Sequence, residues 1–358
     1  MNPRFWSGRR VFLTGHTGFK GGWLALWLQD LGADVTGFAL NPPTRVNLFE
    51  TARVGSDIVS HIGDIRHIEP LCRALNATEP EIVFHLAAQP LVRQSYKDPV
   101  DTYSTNVMGT VNLLEAVRAT PSVRAVVVVT TDKCYDNPER GTAFTESDPI
   151  GGLDPYSSSK GCTELVTAAY RASFFRAGLE RQVSVATVRA GNVIGGGDWA
   201  MDRLVPDIVE GFSQGRPVRI RYPRAVRPWQ HVLEPLRGYL MLAERLCANE
   251  GEAFARPWNF GPLDDDPIPV GELVQRIATL WGPEASWHVD AGTHPHEATY
   301  LKLDASKAAS LLGWHPVLDL DQSLSLTLQW AQAHSAAADM REFTLEQIRT
   351  YQAKATHP

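Results

Sequence analysis

Short apolar runs rich in β-branched residues recur along the first half of the chain, at 11–14, 34–39, 58–62, 81–86, 125–130 and 183–189. Each has strand length, and each gap between them is long enough for a helix. Leu24, Trp27, Leu28 and Leu31 form one i, i+3, i+4, i+7 stripe, closed by Gly32, and Ile68, Leu71, Cys72 and Leu75 form another. Longer amphipathic stretches cover 100–118 and 154–170. Strands alternating with helices predict βαβ units and a parallel sheet in an α/β fold. Beyond about Gly191 the alternation breaks down into a glycine-rich stretch, GNVIGGGDW, and a basic, proline-rich one, GRPVRIRYPRAVRPWQHV. The pattern therefore predicts a first domain over 1–190. A smaller mixed lobe is expected over 191–358, with some segments returning to the first domain and a polar tail from about Ala336 that is either helical or loosely attached.

Composition narrows the function classes. With 358 residues, 44% of them hydrophobic and 21% charged, the chain can build a sizeable core and is not a disordered one. Its net charge of −6 offers no broad positive field, so neither nucleic acid nor an anionic membrane is an expected partner. Cys72, Cys134, Cys162 and Cys247 are widely spaced and form no C-x-x-C pair, which suits a reducing compartment. Arg9 and Arg10 interrupt the N-terminal segment before an apolar run of signal length, and the expected location is the cytoplasm.

The segment VFLTGHTGFKGGWLALWLQDLG places Gly15, Gly18 and Gly21 between a strand and a helix. A dinucleotide diphosphate needs this arrangement, because glycine lets the backbone approach the anion and a helix N-terminus supplies free N–H groups. A nucleotide P-loop is excluded, since Lys20 is followed by Gly21 and Gly22 with no hydroxyl residue to hold magnesium. The acid expected at the end of the second strand to bind the adenosine ribose is missing: Leu40 and Asn41 stand there, and Asp34 lies at the strand's other end. Arg45 is the nearest base that could meet a 2′-phosphate, or it is simply a solvated loop residue.

Downstream, the strand RAVVVV runs into Thr130-Thr131-Asp132-Lys133-Cys134-Tyr135, followed by Pro155-Tyr156-Ser157-Ser158-Ser159-Lys160. Tyr156 and Lys160 are an i, i+4 pair and share one helix face. A tyrosine base must have its pKa brought down from about 10, and a fixed ammonium has the right sign for that. Asp132 and Lys133 could alternatively be an ion pair at a strand end.

These motifs, together with NPPT-x-x-NLFE, GDIR, HLAAQPLVRQSY, TNVMGT, RAGNVIGGGDW, WNFGP and LGWHP, resemble the extended short-chain dehydrogenase/reductase superfamily of nucleotide-sugar enzymes. Within it the resemblance is to the CDP-glucose 4,6-dehydratases. It implies a Rossmann-type doubly wound sheet with a smaller substrate-binding lobe, NAD as cofactor, CDP-glucose as the small-molecule substrate, and a homodimer or tetramer formed through the paired helices at 100–118 and 154–170. The implied chemistry is oxidation at C4, loss of the C5 proton with elimination of the C6 hydroxyl, and hydride return to C6.

Residue by residue, the resemblance makes Tyr156 the base for the C4 hydroxyl and Lys160 the ribose-holding partner that lowers its pKa. Thr131 would hold the C4 oxygen, Asp132 would protonate the departing C6 oxygen, and Lys133 would remove the C5 proton or stabilise the enolate. It assigns cofactor contacts to Gly15, Thr17, Gly18, Phe19, Lys20 and Gly21, to Asp64 and Ile65, and to Leu86, Ala87, Ala88 and Gln89. Asn106 is either a further cofactor contact or a structural helix residue. Asn192, Arg203, Arg219, Arg227 and His231 would receive the sugar nucleotide, arginine suiting a bidentate grip on phosphate oxygens; the alternative is a basic loop neutralising local acids. No metal is expected, because His294 and His296 lack a third ligand at recognisable spacing. The rival readings are a UDP-N-acetylglucosamine 4,6-dehydratase, a 4-epimerase and, in another class, a non-catalytic NAD(P)-binding regulator.

Overall fold

The computed structural model describes residues 1–139, 141–176, 178, 182–262, 268–292 and 300–356. His294 and His296 lie outside them. Seven parallel strands, β1 (Arg10–Thr14), β2 (Asp34–Ala39), β3 (Val59–Ile62), β4 (Ile82–His85), β5 (Ala125–Val129), β6 (Ser184–Ala190) and β7 (Pro257–Phe260), form one sheet in the order β7-β6-β5-β4-β1-β2-β3. The order reverses between β1 and β4, and an open α/β sheet holds its ligand in the crevice at that reversal.

The helices that concern the site are α1 (Phe19–Asp30), α2 (Ile68–Thr78), α3 (Gly109–Ala119), α4 (Pro155–Tyr170), α5 (Leu204–Ser213), α6 (Leu233–Leu246), α7 (Val270–Trp281), α8 (Leu320–Ser335) and α9 (Met340–Thr356). Alternate side chains of each strand face opposite layers. Val11, Leu13, Val127, Val129 and Val188 pack with α1 and α6, whereas Phe12, Val126, Val128 and Val185 pack with α2 and α3. Continuous apolar strands such as AVVVV are what a sheet covered on both faces requires.

Helix α1 is buried nearly all round, from Gly21 to Leu28, a wider face than its apolar stripe alone indicates. The reason lies far along the chain: α9 covers its outer side, with Tyr351 edge-on to Trp27 at 5.7 Å. A second core gathers Val205, Ile208, Leu273, Ile277 and Leu324 from α5, α7 and α8 and Ile220 from the strand Val218–Ile220, with short strand pairs, one of them antiparallel, around it. Strand β7 and helices α6 and α9 come from beyond residue 191 yet pack on the main sheet or on α1. The carboxylate of Glu234 fastens this return: it accepts the backbone N–H groups of Val317 (2.9 Å) and Leu318 (2.7 Å) and the Tyr351 hydroxyl (2.8 Å).

Candidate active site

The end of β1 is wired to the end of β4. Thr14 Oγ1 lies 2.8 Å from His85 Nδ1 and accepts the N–H groups of Leu86 (3.1 Å) and Ala87 (3.2 Å). Burial, with Lys160 adding to it, lowers the His85 pKa to about 3, so the ring is neutral and serves as a spacer. Gly15 has a φ of +80°, and a Cβ there would come within 2.7 Å of the Ala87 nitrogen. A Cβ on Gly21 would stand 2.0 Å from the Gly15 carbonyl oxygen. Both glycines are thus required by protein packing. At Gly18 a Cβ would meet only that carbonyl, at 3.4 Å. Gly18 caps α1 without any side-chain cap bond, so it leaves the helix N-terminus open to the cavity. A small residue at an open helix N-terminus is the cradle that a dinucleotide diphosphate fits.

A cavity of about 1130 Å³ runs from this cradle into the second lobe. Thr17, Phe19 and Lys20 line it beside the three glycines, as do Asp64, Ile65, Leu86, Ala87 and Ala88. Asp64 is engaged by the Arg66 guanidinium at 2.9 Å, and that hydrogen bond holds its pKa below the usual value. Thr17 donates to the Leu40 carbonyl at 2.8 Å, and Asn41 also faces the cavity, whereas Arg45 is exposed away from it. Gln89 and Asn106 do not line the cavity. Asn106 sits in a π-helical turn, accepts the Gln89 N–H at 2.8 Å and donates to Gln89 O at 3.1 Å and to Ser159 Oγ at 2.8 Å. Its amide is therefore spent in holding the loop after β4 against α4.

Thr131, Asp132, Lys133, Tyr156 and Lys160 converge on the same cavity. The first three follow β5 in a single 3₁₀ turn, and Thr131 caps it by accepting from the Lys133 N–H. The other two face inward from α4, whose N-terminus is capped by Asp154 accepting from the Ser157 N–H at 2.9 Å. Thr131 donates to Asp132 Oδ1 at 2.9 Å, while Asp132 Oδ2 is buried with no partner. Burial raises the Asp132 pKa, with Lys133, Thr131, Arg227 and Lys20 pulling the other way. Burial likewise pushes Tyr156 up to about 12 against a hydrogen bond with Thr131. Lys160 donates to the Val129 carbonyl at 3.1 Å, and burial lowers its pKa to about 8. Lys20 is also lowered to about 8, by burial and then by Arg203 and Lys160.

From the second lobe, Asn192, Arg203 and Arg227 line the cavity, Arg203 paired with Asp198 at 2.8 Å. Arg219 and His231 do not. Arg219 is the exposed middle residue of the strand Val218–Ile220, its neighbours pointing into the core. His231 is fully buried, edge-on to Trp23 at 5.8 Å, and burial lowers its pKa to about 3. The sequence reading missed Arg93, Trp199, Asp202, Arg221, Trp330 and His334 on the cavity wall. Arg93, Trp199 and Arg221 fall inside segments already singled out, but nothing in their spacing says which side chains turn inward. Among the described residues no group of three or more His, Cys, Asp or Glu is arranged to hold a metal ion, and no helix is long and apolar enough to cross a membrane.

Comparison with known proteins shows the family. A family model described as GDP-mannose 4,6 dehydratase matches residues 12–327. The chain is 53% identical to CDP-glucose 4,6-dehydratase of Salmonella typhimurium, over 99% of both sequences. It is 27% identical to dTDP-glucose 4,6-dehydratase of Xanthomonas campestris pv. campestris, over 89% of this chain and 92% of the relative. In fold it is similar to a UDP-glucose 4-epimerase of Stenotrophomonas maltophila solved with NAD and formylated UDP-arabinopyranose (TM-score 0.80, 22% identity, 92% of this chain and 100% of that one). It is also similar to the dTDP-glucose 4,6-dehydratase of Bacillus anthracis in complex with NAD (TM-score 0.76, 23% identity, 92% and 99% covered). With the family model spanning most of its length and a relative more than half identical from end to end, the chain belongs to the GDP-mannose 4,6-dehydratase family of nucleotide-sugar 4,6-dehydratases.

Proposed function

We propose that this dehydratase converts CDP-D-glucose to CDP-4-dehydro-6-deoxy-D-glucose, for deoxysugar and surface-polysaccharide biosynthesis, with NAD held in the glycine cradle. The observation that carries the reading is the meeting, in one cavity, of the cradle with Thr131, Asp132, Lys133, Tyr156 and Lys160. End-to-end identity with the Salmonella CDP-glucose enzyme supports the choice of sugar nucleotide over UDP-N-acetylglucosamine. The glycine cradle would hold NAD, the cofactor of the family, which would supply the hydride acceptor for C4 oxidation and the hydride donor for C6.

Every other step falls to side chains. Tyr156 accepts the C4 hydroxyl proton, and Thr131, which faces the same cavity, holds the C4 oxygen. Burial outweighs the Thr131 hydrogen bond and the charge of Arg203 and leaves the Tyr156 pKa at about 12, so this role requires further positive charge beside it; Lys160, one helical turn away, supplies it below about pH 8. Lys133 takes the C5 proton. Asp132, whose pKa burial raises and whose Oδ2 is unpartnered, is suited to carry a proton to the departing C6 oxygen. Arg203 and Arg227 grip the diphosphate from the second lobe.

Incubation with a panel of nucleotide sugars tests the reading. CDP-glucose should give the alkali-induced absorbance of a 4-keto-6-deoxy product, and preference for UDP-N-acetylglucosamine, or simple epimerisation, would overturn it. We also infer a homodimer through the 100–118 and 154–170 helices, where Val100, Met108 and Leu165 are exposed at 77%, 51% and 62%. Sedimentation should give at least a dimer at micromolar concentration, and a monomer alone would refute it.

A further inference from the structure

At the mouth of the cavity one carboxylate oxygen holds two guanidinium groups. Arg93 Nη1 stands 3.2 Å from Asp202 Oδ1, and Arg221 Nη1 stands 3.5 Å from the same atom. Arg93 belongs to the short helix Val92–Lys97 that follows β4 in the main sheet domain, whereas Arg221 follows the strand Val218–Ile220 in the second lobe. Asp202 itself sits on the loop before α5, with a left-handed φ of +61°, next to Met201, which is 74% exposed. All three charged residues line the cavity.

We propose that Asp202 is a positioning residue, an inter-lobe bridge that fastens Arg93 to Arg221 and holds the mouth of the cavity closed around the bound nucleotide sugar. Closure matters for a reaction that passes through an enone, because a closed mouth keeps water and escape at bay until the product is complete. The bridge is built to open. Its side chains are 33%, 38% and 22% exposed, so each ion pair is weak and reversible. Without the carboxylate this direct tie between the two lobes would be lost, although the charge of Asp207 also acts on both guanidinium groups. Arg203, one residue on, is tied instead to Asp198 in the same loop at 2.8 Å, so the loop keeps its own shape while its attachment is released.

The inference rests on the proposed substrate only for the ligand that is retained. Asp202→Ala and Arg93→Ala should each raise KM for CDP-glucose about three- to tenfold with kcat within about twofold, and the double variant should be no worse than the worse single one. Asp202→Glu should stay close to the parent. Unchanged KM in both single variants, or additive losses in the double, would overturn the bridge. A second readout needs no substrate: hydrogen exchange across residues 195–203 should speed up about three- to tenfold in Asp202→Ala while β5 is unaffected, and equal exchange would overturn it as well. Absence of CDP-glucose turnover by the parent enzyme would count against the substrate assignment alone, leaving exchange to decide the bridge.

Discussion

Two carboxylates lie buried around α4 and the end of β5, and their surroundings differ. Glu164 accepts from Thr130 Oγ1 (2.5 Å), Thr187 Oγ1 (2.6 Å) and both Arg189 Nε and Nη2 (2.9 Å each). Arg189 in turn donates to the Tyr135 hydroxyl at 2.8 Å, which donates to Asn259 at 2.7 Å. Burial favours the neutral acid at Glu164, but these donors outweigh it and hold the pKa below the usual carboxylate value. Asp132 has one bonded oxygen and one without a partner, and there burial wins. A saturated network fixes the strands and α4 in place, whereas an incomplete one has bonding capacity left for a substrate.

The sharpest way to break the comparison is at the incomplete end. Tyr156→Phe should lose about 10²–10⁴-fold in turnover and form no bound reduced cofactor when CDP-glucose is added. Lys133→Ala should lose a similar factor, yet the reduced cofactor should appear on the enzyme and persist, because its proton transfer comes after C4 oxidation. Near-normal turnover by Lys133→Ala would make Lys133 only an ion-pair partner of Asp132.

At the saturated end the effect should be on folding. Glu164→Ala leaves the Arg189 guanidinium buried without its carboxylate, and denaturant unfolding should show a loss of about 3–5 kcal/mol. A loss confined to activity would show that the network belongs to the chemistry.

The smallest effect concerns pH. The half-buried Lys20 and the buried Lys160 have pKa values lowered from 10.5 to about 8. Between those values the unfolded lysines bind protons that the folded ones have released, so stability should rise with pH through this window from these groups. Lys20→Met should flatten part of that rise in thermal melts at pH 8–10.5, and an unchanged slope would contradict the burial of its ammonium.

The two regions were unequally legible in the sequence. The first six strands of the sheet show as β-branched runs, and Tyr156 and Lys160 share a helix face by spacing alone. Strand β7 did not show, because PWNF carries no period of its own and is a strand only through pairing with β6. The full burial of α1 depends on Tyr351, more than 300 residues away. In the second lobe, alternation along the strand Val218–Ile220 turns Arg219 outward, and Arg221 reaches the cavity from beyond its end. No local pattern announces that geometry. The sequence marks Asp132 only through the motif around it and leaves Glu164 unmarked; the count of donors around each is what separates the structural carboxylate from the one with capacity to spare.

The central claim is that the cavity oxidises and reduces the same sugar, and the most direct test follows product and cofactor together. With CDP-glucose in excess and NAD supplied well below the substrate concentration, the account predicts many turnovers of 4-keto-6-deoxy product with no net NADH. NADH rising in step with product would contradict it.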